Sequence, residues 1–360
     1  MSAARVALAA DRVDRAYARN DEVDRPEVWI TLRRRAEVLA EAAALDTRAA
    51  AGERLPLHGV LVAVKDNIDV AGLPTTAACP TFARRPAVSA PAVARLVERG
   101  ALVVGKTNLD QFATGLTGCR SPYGAVRGAV DPERIAGGSS SGSAVAVALG
   151  LVDLALGTDT AGSGRVPAAL QGIVGIKSTI GLVPTDGVVP ASRSYDCVSV
   201  FATTVDAAEH AAATIAGPTR RSGRRRRFGD APRGAPPHPR VGVPAADALA
   251  EMSAARRSAF DAALGRLADR GVALSPVDLG PFLAAGDLLY SGALVAERYA
   301  AFGEALEAAG DAADPSVHSI VSAARTIPAH ALVSDLAHLD ELAVLAREEL
   351  AGLDACSCRR

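Results

Sequence analysis

The chain has 360 residues, 49% of them hydrophobic, with 39 Lys and Arg against 40 Asp and Glu and a formal net charge of −1. That is enough apolar material for one large or two ordinary domains, and the balanced charge gives no electrostatic reason to expect nucleic acid or an anionic membrane as partner. No apolar run is long enough for a membrane span. The N-terminal residues carry no signal-peptide core, and five Cys and six His show neither disulfide nor metal spacing. The expectation is a cytoplasmic protein that uses no metal and no cofactor.

Residues 3–50 read as helix, interrupted between Asn20 and Pro26. From 57 to about 205 short Val/Ile/Leu runs alternate with helical stretches. Gly59–Val64 reads as a buried strand, with Lys65-Asp66-Asn67 at its carboxyl end, where α/β sheets place ligand and catalytic groups. A helix over Pro91–Arg99 precedes a strand at 101–104. A further helix begins near Ser143, and a helix at 165–171 leads into a strand at 173–176. The alternation argues for an α/β sheet with helices on both faces. Residues 217–239, with Arg224-Arg225-Arg226-Arg227 and Pro236-Pro237, read as a solvated connector; a nucleic-acid arm would interleave aromatics, and none are present. Beyond it come a strand at 240–244, a helix at 247–270, a strand at 272–276 and mostly helix from 281 to 352. The resulting division is an N-terminal helical segment (1–56), a core carrying the chemistry (57–216), the connector (217–239) and a largely helical second part of the same domain (240–360).

Two turns stand out: Gly137-Gly138-Ser139-Ser140-Ser141-Gly142-Ser143 and Gly157-Thr158-Asp159-Thr160-Ala161-Gly162-Ser163-Gly164-Arg165. Both are too rich in Gly and Ser to be core, yet apolar runs flank them. They put hydroxyls and bare backbone amides on rigid supports, which suits attack by a hydroxyl and stabilisation of an oxyanion. They lack the spacing of a phosphate-binding loop. The chain holds only three lysines, Lys65, Lys106 and Lys177, among its 39 basic residues. Arg keeps its proton, whereas a buried Lys can lose it and act as a base. Lys65 fits that role and Lys106 reads as a structural cation. Ser140, Ser141 and Ser143 read as caps of the helix that follows them.

Lys65 upstream of Ser139 and Ser163, the two serines 24 positions apart, resembles the amidase signature family of Ser-Ser-Lys hydrolases. The resemblance implies an amidase-signature fold, a mixed sheet covered by helices on both faces. It implies Ser163 as nucleophile, Ser139 as bridging serine on a cis peptide bond, and Lys65 as the base, linked to both serines in one hydrogen-bonded chain. The amides of Thr160, Ala161, Gly162 and Ser163 would form the oxyanion hole, and Asp159 and Arg165 would brace the loop.

Within the family, the stretches 64–80, 105–116 and 187–199 resemble the allophanate hydrolase branch, as does Tyr290-Ser291-Gly292-Ala293-Leu294-Val295-Ala296-Glu297-Arg298. The resemblance implies that Tyr290 and Arg298 hold a substrate carboxylate, for which Arg supplies bidentate geometry. The implied reaction releases ammonia from the terminal amide of allophanate, in urea degradation. Lys177-Ser178-Thr179-Ile180-Gly181 departs from the family's usual Lys-Pro-Thr-Arg-Gly. The family's domain also continues past the length seen here, so a sheet left incomplete at the C-terminal end is expected. A small-molecule amide is the expected partner, with a homodimer left open. Another small-amide amidase and an inactive truncated remnant are the alternatives.

Overall fold

A computed structural model describes residues 8–218 and 236–357. The Arg224–Arg227 run and most of the connector lie outside the described residues, as do Cys358, Arg359 and Arg360. The chain divides into two compact units: Met1–Asp230 with Glu297–Ser322, and Ala231–Ala296 with Ala323–Arg360.

The first unit is built on a six-stranded mixed sheet of β1 (Trp29–Leu32), β2 (Leu61–Lys65), β3 (Leu102–Thr107), β4 (Leu154–Asp159), β5 (Val174–Lys177) and β6 (Cys197–Ala202). Their order is β1-β3-β2-β4-β6-β5. The centre is parallel, β2 pairing with both β3 and β4; β1 on β3, and β6 on β4 and β5, are antiparallel. A strand buried on both faces must be apolar on both, and β2 shows this. Leu61 and Ala63 pack with α1 (Ala9–Val23), α2 (Arg35–Ala50) and α4 (Ser141–Ala148). Val62 and Val64 face the opposite layer, α3 (Pro91–Glu98) and α6 (Val205–Ile215). Helix α5 (Arg165–Gln171) follows the second Gly-rich turn.

The expected helix over 3–50 is corrected at Trp29–Leu32. This short segment adds as an antiparallel edge strand to β3, with Trp29 opposite Thr107. Four residues between two helices are too few for a period to show, and pairing with β3 overrides local propensity. The segment 297–322 rejoins the first unit. Phe302, Leu306, Val317 and Val321 pack on Ala77, Cys79, Phe112 and Val189. Phe302 stacks on Phe112 with ring centroids 4.3 Å apart. The buried Gln111 amide pins the segment by donating to Ala312 O at 2.8 Å and accepting from Asp314 N at 2.8 Å.

The second unit has a three-stranded parallel sheet, β7 (Arg240–Pro244) between β8 (Ala273–Val277) and β9 (Ala355–Cys356). Helix α7 spans Ala254–Ala268, capped by the Ser253 hydroxyl, and so starts later than the expected 247, where a short 3-10 turn stands instead. Helix α8 (Gly280–Asp287) follows β8. The remaining helices in chain order are α9 (Ala296–Arg298), α10 (Glu304–Glu307), α11 (Pro315–Ser322) and α12 (Ala329–Glu349), the last of them in the second unit.

Candidate active site

The parallel arrangement of β2, β3 and β4 sets Lys65, Thr107 and Asp159 at their carboxyl ends. Chain reversals there expose backbone amides and polar side chains, as is general at this end of α/β sheets. The two Gly/Ser turns flank one helix–strand unit, α4 followed by β4. Ser140 N donates to Ser163 O at 3.1 Å, which holds the turns side by side.

Lys65 is fully buried. Its Nζ donates to Ser139 Oγ at 2.8 Å and to Thr158 Oγ1 at 2.7 Å. Thr158 is steadied in turn by Asn67 Nδ2 at 3.2 Å. Burial drives the amine from its ordinary value of 10.5 down to about 7, against the opposing pull of Asp110, Asp196 and Asp159. An amine half neutral near pH 7 and bonded to a hydroxyl can accept that hydroxyl's proton.

The Gly138–Ser139 peptide is cis. Gly138 is required there by close approach, since a Cβ would collide with the Asp110 carboxylate and lie 2.6 Å from Gly118 N. Asp110 itself is tied by Gly118 N at 3.0 Å and Arg120 N at 2.9 Å. Ser163 is buried, and among the described residues its Oγ makes no hydrogen bond. The expected three-membered chain is therefore closed between Lys65 and Ser139 and left open between Ser139 and Ser163.

Asp159 organises the second turn. Its carboxylate accepts from Gly162 N at 2.8 Å, Gly164 N at 3.1 Å and Arg165 N at 3.0 Å, and takes both Arg165 Nε and Nη2 at 2.9 Å. Burial alone would raise its pKa; the Arg165 guanidinium and the amides outweigh that and hold it at about 2. The Gly162 amide, expected to face an oxyanion, is thus occupied by Asp159. The amides of Thr160, Ala161 and Ser163 carry no hydrogen bond among the described residues. Gly164 is also dictated by space, since a Cβ there would lie 2.7 Å from Ser199 Oγ.

The three neighbouring hydroxyls do not cap α4. Ser140 Oγ donates to Thr158 O at 3.0 Å, and Ser143 Oγ to Leu156 O at 2.9 Å while meeting Thr107 Oγ1 at 2.7 Å. Ser141 Oγ is buried without a partner among the described residues. Two of them fasten the helix onto β4, where the strand's carbonyls offer shorter reach than the helix's own amides. Lys106 is fully buried in an ion pair with Asp66 at 2.9 Å, and also donates to Thr75 Oγ1 and Pro74 O. Burial lowers its pKa, with Asp66 opposing.

Arg298, on α9, is buried, with Nη1 donating to Thr114 Oγ1 at 3.1 Å. Its charge reaches Asp196, whose pKa burial raises and to which Thr160 Oγ1 donates at 2.5 Å. Tyr290 belongs to the second unit, half-buried in the turn after α8, its N–H on Asp287 O at 3.1 Å. Sequence reasoning passed over Thr158, Asp110 and Asp196. Thr158 shares a strand end with Asp159, and that position was the one usable signal. Among the described residues no group of His, Cys, Asp and Glu could hold a metal, and no helix is long and apolar enough to cross a membrane.

A family model described as Amidase matches residues 12–348. Urea amidolyase of Lachancea kluyveri is 43% identical over 305 residues, covering 82% of this chain and 16% of that protein. Urea amidolyase of Saccharomyces cerevisiae is 42% identical over 311 residues, again covering 82% of this chain and 16% of that protein. In structure, Kluyveromyces lactis allophanate hydrolase aligns with a TM-score of 0.88 at 36% identity, covering 98% of this chain and 58% of that chain. The chain therefore spans about a sixth of those urea amidolyases, at 16%, and under two thirds of that structure, at 58%.

Proposed function

The chain belongs to the amidase family, and on that premise we propose that it hydrolyses the terminal amide of allophanate (urea-1-carboxylate), releasing ammonia through an acyl-enzyme. In this reading Ser163 Oγ attacks the amide carbonyl while Lys65 takes the proton through Ser139. The oxyanion is met by the amides of Thr160, Ala161 and Ser163. Collapse expels ammonia with the proton returned from Lys65, and water then attacks the acyl group by the same relay in reverse. Arg298 holds the substrate carboxylate.

The observation that carries the reading is the fully buried Lys65 amine, 2.8 Å from Ser139 Oγ and with its pKa at about 7. A buried ammonium would be costly and useless as a base, whereas a neutral amine costs less and accepts protons. The carboxylated substrate is favoured by the buried Arg298 guanidinium, and by the likeness to the allophanate hydrolase structure.

The test is ammonia release from allophanate by the purified chain, compared with neutral amides such as acetamide. Arg298→Ala should raise KM for allophanate by about ten- to a hundredfold, the worth of a charged hydrogen bond, and change KM for a neutral amide far less. Faster turnover of neutral amides than of allophanate by the unmodified protein would make it a general amidase.

A further inference from the structure

Glu297 and Arg298 are adjacent on α9, and the charge of Arg298 bears on Asp196. Arg298 reaches Thr114. Glu297 clamps the loop between β5 and β6: its Oε2 accepts from Ser192 Oγ at 2.6 Å and Ser194 N at 3.0 Å, and its Oε1 accepts from Ser194 Oγ at 2.5 Å. That loop is wound around a second carboxylate, the buried Asp196. Asp196 accepts from Ala191 N at 3.0 Å and from Ser192 N at 3.2 Å. Its remaining short bond comes from Thr160 Oγ1 at 2.5 Å, and Thr160 opens the turn that carries Ser163.

A chain of direct contacts thus runs from α9 to the Ser163 turn: Glu297 to Ser192 and Ser194, through their loop to Asp196, and from Asp196 to Thr160. Thr160 has little else to fix it, since the Asp159 carboxylate takes the amides of Gly162, Gly164 and Arg165 but not those of Thr160 or Ala161. The Thr160 and Ala161 amides, both in the expected oxyanion hole, are therefore ones that Asp159 leaves unsecured.

We propose that Glu297 is a positioning residue that fixes the oxyanion-binding amides of Thr160 and Ala161 through the Ser192–Asp196 loop, and so ties the α9 segment bearing Arg298 to the acyl-transfer step. The proposal rests on reading the site as an acyl-transfer centre. Because Glu297 and Arg298 occupy one helical turn, a substrate carboxylate drawn to Arg298 also settles the support of the oxyanion turn. Binding energy gained away from the reacting carbonyl is thereby converted into geometry at it.

The experiment compares Glu297→Ala and Glu297→Gln with the unmodified chain in two measurements. The first is the rate at which phenylmethanesulfonyl fluoride labels Ser163, read by mass spectrometry, which needs the oxyanion amides but no carboxylate. The second is kcat and KM for allophanate. A misplaced oxyanion turn should slow labelling and lower kcat by about ten- to a hundredfold in Glu297→Ala. Glu297→Gln should recover to within about threefold, because the amide oxygen can take the place of Oε2 and accept from Ser194 N and Ser192 Oγ while the NH2 group donates to Ser194 Oγ. Arg298→Ala should raise KM and leave the labelling rate within about twofold.

Slowed labelling in Glu297→Ala with rescue by Glu297→Gln upholds the positioning role even if the unmodified chain does not turn over allophanate, in which case only the substrate assignment falls. An unchanged labelling rate in Glu297→Ala overturns the proposal, whether or not allophanate is hydrolysed. So does a loss seen only as a lower fraction of folded protein, with normal rates per labelled site.

Discussion

Replacing Lys65 by Met should make the protein inactive and, near neutral pH, more stable. The folded chain binds the Lys65 proton only below about pH 7, against an ordinary value of 10.5. An unfolded chain keeps that proton up to its ordinary pKa, so between the two values unfolding takes up a proton. Unfolding then becomes less favourable as pH rises, by about 1.4 kcal/mol per unit. The whole interval corresponds to roughly 5 kcal/mol of destabilisation, present in full at and below about pH 7. Met at this site gives up the bonds to Ser139 and Thr158, at about 1 kcal/mol each, and sheds the titration penalty. Lys65→Met should therefore exceed the unmodified protein by about 3 kcal/mol at pH 7. The gap should narrow by about 3 kcal/mol over two pH units above about pH 7.5. Urea unfolding of both proteins over that range reads the difference directly, and other titrating groups cancel in the subtraction. In parallel, kcat/KM of the unmodified protein should rise through a midpoint near 7 as the neutral amine becomes available. A stability difference that does not move with pH, or an unmodified protein that is the more stable one at pH 7, would refute the argument.

Asp159→Asn should weaken the Arg165 clamp, cost roughly 2–3 kcal/mol and slow sulfonyl labelling of Ser163. In the unmodified protein the same pair's stability is present above the ordinary carboxyl value of 3.8 and is lost as pH falls toward about 2, which acid unfolding of the two proteins will register. Gly164→Ala should destabilise by about 1–3 kcal/mol through overpacking, since its Cβ would meet Ser199 Oγ at 2.7 Å and Ser199 Cβ at 2.8 Å. Adding Ser199→Gly should recover most of that loss in thermal melts; two losses that simply add would show that the clash is not the cause.

Strands β2 and β3 were legible because each opens on an uninterrupted apolar run and ends in polar residues, as Leu61–Val64 ends in Lys65 and Asp66, whereas β4 was not separated from the apolar stretch that follows the first Gly/Ser turn. Lys65 stood out because only three of the 39 basic residues are Lys, and a buried Lys, unlike an Arg, can lose its proton. The Trp29–Leu32 strand was not legible, because its only reason for being extended is the β3 edge beside it. Hydroxyl partners were equally hidden. Ser140 and Ser143 look like caps in one dimension and are fasteners to β4 in three. The carboxylates of Asp110, Asp196 and Glu297 are indistinguishable in sequence from solvated charges, and only the several donors around each, with burial of the two aspartates, set them apart. That the Gly162 amide donates to Asp159 was hidden for the same reason: the order of amides in a turn does not say which one its own aspartate takes.

The return of Glu297–Ser322 to the first unit has a bearing on synthesis. Glu297 stands 79 positions beyond Pro218, a stretch that a ribosome adds in roughly 4–16 s at about 5–20 residues per second. Through that interval Phe112, Cys79 and Val189 are already made, while Phe302, Leu306 and Val317, which will cover them, are not. The nascent chain therefore carries an uncovered apolar face for seconds, long enough for a chaperone to hold it. The Glu297 clamp is among the last contacts of the first unit to close, so the Ser163 turn gains its final support only after the intervening segment has emerged.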